Sequence, residues 1–280
     1  LQWAQMDDTY DRIIIGGERY DFRVGREQFA EDLKARFPEE ADAIDRYVDL
    51  VVRVAGSMRN FFTGQALSPG MNWLYRLIRD QRVPKECTMT VREVLESLTQ
   101  NQQLIGVLTG QWGDYGMPPA EATFLMHASV AKHYFSGGCY PVSGSWKIAD
   151  TIVPVIRASG GEVFTYAEVA EILVEKGAAT GVRMADGHVI HAGRVVSSAG
   201  ARNTFEKLLP EAERGRLGVS DKMQSVRPSA SHICLYAGFK GTAEELGLPR
   251  TNLWVYPSAE HEQNLARFEA DQNQPLPLVY

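Results

Sequence analysis

Between Arg12 and Val24 two β-prone runs, RIII and RYDFRV, flank Gly16-Gly17-Glu18, and this pattern predicts a hairpin closed by a three-residue turn. Beyond Gly25 the period lengthens. Phe29, Leu33 and Phe37 recur four apart, and Pro38 opens a long helical stretch in which Ile44, Tyr47, Val48, Val51, Ala55, Met58 and Phe62 share one stripe. Gly64 is its expected end. Thr90 followed by Glu93 forms a capping-box pattern ahead of Val91, Val94, Leu95 and Leu98, so a shorter amphipathic helix starts there.

From Ser97 to Trp146 the polarity drops. Only Asp114, Glu121 and Lys132 carry charge in these fifty residues, where an average stretch of this chain would hold about eleven charges. Two readings follow: a buried helical core, or the wall of a large apolar ligand site. Trp112, Tyr115, Phe124, Met126, Tyr134, Phe135, Tyr140 and Trp146 would supply such a wall.

Between Tyr140 and Ala201 the pattern turns α/β. Ile148, Ile152, Val155 and Ile156 mark a helix bent near Pro154 and closed at Gly160-Gly161. Val163-Phe164 reads as the start of a strand. VAEILVE, a Lys176-Gly177 turn, ATGVRM, an Asp186-Gly187 turn and HVIHA then read as a three-stranded meander. RVVSSAGA follows as a strand entering a Gly-containing turn, and Thr204 to Leu209 as a short helix ended by Pro210. The tail returns to strands at SHICLYAGF and NLWVYP. No internal repeat or low-complexity segment occurs.

The 280 residues have 44% hydrophobic and 23% charged side chains, which is a globular composition. A net charge of −6 without any basic block argues against nucleic acid as a partner. Cys87, Cys139 and Cys234 are too widely spaced for a disulfide framework, and a reducing, cytoplasmic compartment is expected. No run of 18 apolar residues spans a membrane, and LQWAQMDD lacks the features of a signal peptide. A start at Leu1 and an end at Pro277-Leu278-Val279-Tyr280, which reads as a strand just beginning, suggest an internal fragment of something longer.

Several chemistries are disfavoured by direct search. His188 and His191 are three apart on a strand, which sets their side chains on opposite faces, so no metal site is expected. Cys139 has no basic partner placed by sequence, and neither Gly-x-Ser-x-Gly nor a Walker loop occurs. Nor does any Gly-x-Gly-x-x-Gly follow a strand, so the chain has no dinucleotide-binding turn of its own. No catalytic acid or base is identifiable.

The segment Gly137–Leu209 nevertheless resembles the middle of the phytoene desaturase and retinol saturase flavoproteins. The shared features run in order: a Tyr-Pro-x-Gly-Gly-like turn at Tyr140, a helix, Gly160-Gly161, an x-Val-x-x-Ile strand at Val169, a Gly-Val hairpin closed at Asp186-Gly187, and a Val-Val-Ser strand end. The retinol saturase branch is nearest. Similarity continues through YGMPP, TFLMHASVAKHYFSGGCYP, NTFEKLLPE and TNLWVYP, and back to LQWAQMDD and AIDRYVDLV.

The resemblance implies a mixed α/β (α+β) chain: an incomplete glutathione-reductase-like FAD domain joined to a sheet-and-helix substrate domain. Residues 1–140 are expected to begin the substrate domain, 141–215 to form part of the FAD-binding domain, and 216–280 to return to the substrate domain. It further implies FAD as cofactor, most of its site lying outside this chain, with NAD(P) as a compatible electron partner. Val169 matches the residue whose backbone meets the adenine, and Ser197, Ser198 and Ala199 match the strand end beside the dinucleotide, Ser198 standing where Asn is usual. Tyr140, Ser145 and Trp146 follow the turn that faces flavin and substrate, where Val142-Ser143 replace the commoner Arg-Gly. The implied activity is saturation or desaturation of carbon–carbon bonds in an isoprenoid polyene, with peripheral membrane contact as a route to collect it. Two rivals remain at this point: an amine-oxidase-like flavoenzyme and a non-catalytic module that binds apolar ligands.

Overall fold

The computed structural model describes residues 1–78, 83–226 and 231–280. In chain order its first elements are β1 (Trp3–Gln5), β2 (Thr9–Ile15), β3 (Glu18–Arg23), α1 (Arg26–Arg36), α2 (Ala41–Ala66), α3 (Pro69–Ile78), α4 (Val91–Glu96), α5 (Gln102–Leu108), α6 (Phe124–Tyr134) and β4 (Cys139–Pro141). There follow α7 (Trp146–Ala158), β5 (Val169–Glu175), β6 (Ala178–Met184), β7 (Val189–His191), α8 (Glu211–Leu217), α9 (Val219–Gln224), β8 (Asn252–Tyr256) and α10 (His261–Ala270). The chain therefore mixes helix and sheet. The described residues of Leu1–Ser145 and Ala230–Tyr280 form one compact unit, and those of Trp146–Ser229 another. The domain limits expected from sequence lay at 140/141 and 215/216.

In the first unit the hairpin forms where alternation placed it, but its turn is tighter than expected. Ile15 pairs with Glu18, so the loop is the two residues Gly16 and Gly17, at φ 58° and 91°. Both need the left-handed region that closes two-residue hairpins with the right twist. β8 lies parallel to β2 on its other side, from Asp11↔Asn252 to Ile15↔Tyr256, giving the order β3-β2-β8. One face of this sheet is apolar: Ile13, Ile15, Tyr20, Phe22, Trp254 and Tyr256 are all buried. The same core takes Phe29 and Leu33 of α1, the stripe Ile44, Tyr47, Val48, Val51 and Val54 of α2, and Leu104, Ile105 and Phe124 from the ion-poor segment.

That segment is thus largely core up to Phe135, since α5 is buried along Leu104–Leu108 and α6 buries Phe124, His127, Ala128 and Ala131. Two glycines make the approach possible. A Cβ on Gly106 would stand 2.6 Å from Ala259 Cβ, and one on Gly110 2.7 Å from Ile13 Cγ2. The capping box also forms: Thr90 Oγ1 accepts from the Glu93 N–H while the Glu93 carboxylate accepts from the Thr90 N–H.

Four further expectations require correction. Gly64 sits inside α2, which runs on to Ala66, because a helical glycine merely weakens a helix held by its buried stripe. SHICLYAGF (231–239) forms no strand: Ile233, Leu235 and Tyr236 are almost fully exposed, with no ladder partner among the described residues. Val163-Phe164 and RVVSSAGA likewise join no sheet among the described residues. β-propensity creates a strand only when a neighbouring edge takes up its N–H and C=O groups.

In the second unit α7 is closed as expected, Gly160 at φ 78° with the Gly161 N–H reaching Ile156 O at 3.0 Å. β5, β6 and β7 form the antiparallel meander in sequence order. Lys176 and Gly177 make its first turn, at φ 49° and 80°. The expected short helix is a π-helical segment, Asn203–Leu208. Among the described residues no helix is long and apolar enough to cross a membrane.

Candidate functional site

The second unit contains a cavity of about 700 Å³ beneath the meander. Strand β5 contributes Ile172 and Val174, and β6 contributes Ala179, all from one apolar face. The opposite wall is the stretch Val195–Ala201 with its following turn, through Val195, Ser197, Ser198, Gly200, Thr204 and Phe205. Leu209, Glu213, Arg216 and Leu217 complete the lining, and the two charged members neutralise each other, Arg216 Nε donating to Glu213 Oε2 at 2.7 Å. The lining is mainly apolar, as is usual for sites that take apolar small molecules.

Local chemistry fixes the small-residue wall. Gly200 adopts φ 86°, which an L side chain rarely tolerates, and its carbonyl accepts the Thr204 N–H at 2.9 Å as the π-helical turn begins. Ser197 Oγ lies 2.6 Å from Thr204 Oγ1, and Asn203 Nδ2 donates to Ala199 O at 2.9 Å. The turn is therefore pinned from both sides while Ser198 remains exposed at the cavity. Residues 194–199 belong to no ladder among the described residues.

Of the residues singled out by sequence, Ser197 and Ser198 come together in this lining, whereas Ala199, Val169 and Trp146 do not line it. Val169 is the first residue of β5, paired with Met184. Trp146 opens α7 at 58% exposure, with Lys147 Nζ 4.8 Å from its ring centre. In the first unit Tyr140 lies on β4 opposite Ala4 and is 58% exposed, and Ser145 is also exposed. The turn after Tyr140 carries Ser143 at φ 76° and Gly144 at φ 102°, with the Gly144 N–H on Pro141 O at 2.9 Å. Ser143 thus holds a left-handed conformation where the resembling family commonly has Gly, and a non-glycine there costs strain.

Sequence reasoning missed the apolar lining contributed by Phe205, Leu209 and Leu217, which sits on short irregular helices whose periodicity is too brief to register. It also missed a set of buried polar groups in the first unit. Asp11, fully buried, accepts from Gln111 Nε2 at 2.6 Å and Asn252 Nδ2 at 2.8 Å, and burial pushes its carboxyl up. His127 lies between Tyr47 and Tyr115, and burial lowers it from 6.5 to about 3. His261 Nε2 donates to Gly106 O at 2.9 Å, and burial holds this ring at about 4.

Comparison with known proteins supplies the class to which such an arrangement belongs. The chain is 34% identical to the all-trans-retinol 13,14-reductase of Homo sapiens over 294 residues, covering 99% of this chain and 48% of the human protein. Over 119 residues it is 44% identical to a neurosporene-forming phytoene desaturase of Cereibacter sphaeroides, covering 42% of this chain and 22% of that protein. A solved oxidoreductase structure from Methanosarcina mazei is similar at 22% identity and a TM-score of 0.37, covering 55% of this chain and 39% of its own. No family model matches. Along nearly its whole length the chain is similar to proteins of the retinol saturase and phytoene desaturase-like family. It spans about half the length of the curated relatives it matches.

Proposed function

We propose that this chain forms part of a flavin-dependent oxidoreductase that saturates or desaturates carbon–carbon bonds of an isoprenoid polyene, a carotenoid or retinoid. The observation that carries the reading is the match along 99% of the chain to a protein named for reduction of retinol. Relatives named for phytoene desaturation point to the same class of bond with the opposite direction of hydrogen transfer.

In this reading residues 141–215 contribute to a glutathione-reductase-like FAD domain, while 1–140 and 216–280 belong to the substrate side. The chain's own groups fit one wall of a dinucleotide site. Ser197, Ser198 and Ala199 have small side chains and backbone outside any ladder, which permits close approach, and Val169 offers its backbone at a strand start. The phosphate-binding Gly-rich turn is not in this sequence. FAD would supply the redox chemistry by taking up or delivering hydride. Tyr140, Ser145 and Trp146 would line the substrate path, where exposed aromatic surface binds a polyene through buried area at about 25 cal/mol per Å2. NAD(P) is the electron partner to test first, and a cytoplasmic or membrane-surface location suits both reactants.

The experiment uses the protein with its natural flanks. It should purify with flavin and convert all-trans-retinol or phytoene to a product separable by chromatography. Ser198→Phe, which projects into the cavity, should lower bound flavin without lowering the melting temperature. A flavin-replete Ser198→Phe protein would remove 197–199 from the site, and failure to turn over either polyene would remove the substrate assignment.

A further inference from the structure

Two hydroxyls touch in the mainly apolar lining of the second unit's cavity. Ser197 Oγ and Thr204 Oγ1 lie 2.6 Å apart, and both residues line it. The turn between them is fixed at several points. Gly200 reverses the chain at φ 86°, its carbonyl takes the Thr204 N–H at 2.9 Å, and Asn203 Nδ2 donates to Ala199 O at 2.9 Å. The Leu209 N–H then bonds Thr204 O at 3.1 Å, the five-residue spacing of a π-helix, a form often found at functional sites. Thr204, Phe205 and Leu209 all line the cavity from this segment.

Counting protons shows what the pair offers. Each hydroxyl has one proton to donate and lone pairs with which to accept. Between the two oxygens a single proton is shared, whichever of them donates it. The Ala199 N–H, 3.4 Å from Ser197 Oγ, brings a further donor and no acceptor. Neither hydroxyl meets another acceptor among the described residues. One O–H is therefore left over, at a fixed place, for whatever fills the cavity. Water satisfies it, and so does an oxygen or nitrogen of a ligand, whereas a hydrocarbon that displaces the water leaves the donor unpaired.

We infer that Ser197 and Thr204 act together as one hydrogen-bond donor to a heteroatom of the ligand in this cavity, so that the site takes FAD through a ring nitrogen or ribose oxygen and rejects a hydrocarbon polyene. The inference rests on the flavoenzyme reading, and it gives Thr204, which the family resemblance did not single out, a place in the cofactor site. The two hydroxyls are redundant in this role. Remove one, and the other no longer shares its proton and offers it to the ligand instead; remove both, and the donor is gone. A pair that merely braced the turn would behave differently, since either removal would break the brace.

The test is a titration of FAD into the flavin-stripped protein with its natural flanks, followed by flavin fluorescence, for Ser197→Ala, Thr204→Val and the double variant. Each single variant should change the FAD dissociation constant less than about twofold, whereas the double variant should raise it about tenfold. Because both partners of the bond are removed together, the double variant's melting temperature should not move. Unaltered FAD affinity of the double variant would overturn the inference while the flavin reading stands. So would losses that simply add, or a single variant as weak as the double, either of which would make the pair a brace for the turn. A large fall in the double variant's melting temperature would have the same meaning. A protein that takes up no FAD even with its flanks would overturn the flavin reading and the inference with it.

Discussion

Tyr47 and His127, 80 positions apart in the chain, meet in the core of the first unit with Oη and Nε2 2.8 Å apart. The second ring nitrogen, Nδ1, lies 3.3 Å from Tyr115 Oη. A neutral imidazole satisfies this arrangement, one nitrogen donating and the other accepting, while an imidazolium would lose its only acceptor and stay buried beside two hydroxyls. This contact links α2 to α6 within the apolar core that both helices share.

The first prediction concerns pH. His127 and His261 are lowered from 6.5 to about 3 and about 4, chiefly by burial. Below pH 6.5 the unfolded chain binds protons that the fold refuses, so their contribution is complete above that pH and is lost as pH falls toward 4. Each should take away about 1.4 kcal/mol per pH unit in that window. Urea unfolding at successive pH values should show His127→Gln with a slope shallower by that amount. An unchanged slope would mean that His127 titrates normally in the fold.

Two glycine substitutions should act with opposite signs. Gly106→Ala forces a Cβ to 2.6 Å from Ala259 Cβ and 2.7 Å from Ala259 O, and should destabilise by about 1–3 kcal/mol through overpacking. Gly56→Ala on α2 meets nothing within 4 Å and should stabilise by up to about 1 kcal/mol from helix propensity. Thermal melts of the two variants decide it.

Trp146 and Trp254 differ in what they lose. Trp254, 2% exposed and stacked on Tyr280 at 4.8 Å, should cost about 3–5 kcal/mol as Trp254→Ala. Trp146, 58% exposed, should cost under about 1 kcal/mol as Trp146→Ala, while polyene turnover by the protein with its flanks falls. A large stability loss with normal turnover per folded molecule would remove Trp146 from the substrate path.

Asp11→Val should be severe for a reason unrelated to volume. It leaves the Gln111 amide as a buried donor without its carboxylate, at about 1–3 kcal/mol, while the exposed Asn252 amide can turn to water. Asp11→Asn keeps one acceptor oxygen and should recover part of the loss, as measured by denaturant midpoints.

Local sequence determined what local physics decides. Gly16-Gly17 and Lys176-Gly177 specify their turns because so few residues accept positive φ, and the stripe from Ile44 to Val51 specifies the buried side of α2 because its period matches one helical face. The resemblance was legible because the motifs from Tyr140 to Leu209 keep their order. Tertiary structure decided whether a run of β-formers becomes a strand: NLWVYP found the free edge of β2, while SHICLYAGF and RVVSSAGA, with comparable propensity, found none. It decided also that Asp11 and Gln111 meet in the core with the exposed Asn252 bonded to the same carboxylate, and that Ser197 and Ser198 share a cavity with Ile172 and Phe205. Such contacts join positions far apart in the chain, and no periodicity or spacing within one segment encodes them. α3 shows the division most clearly, since its sequence fixes an apolar arc but only the fold leaves Trp73, Leu74 and Leu77 of that arc exposed.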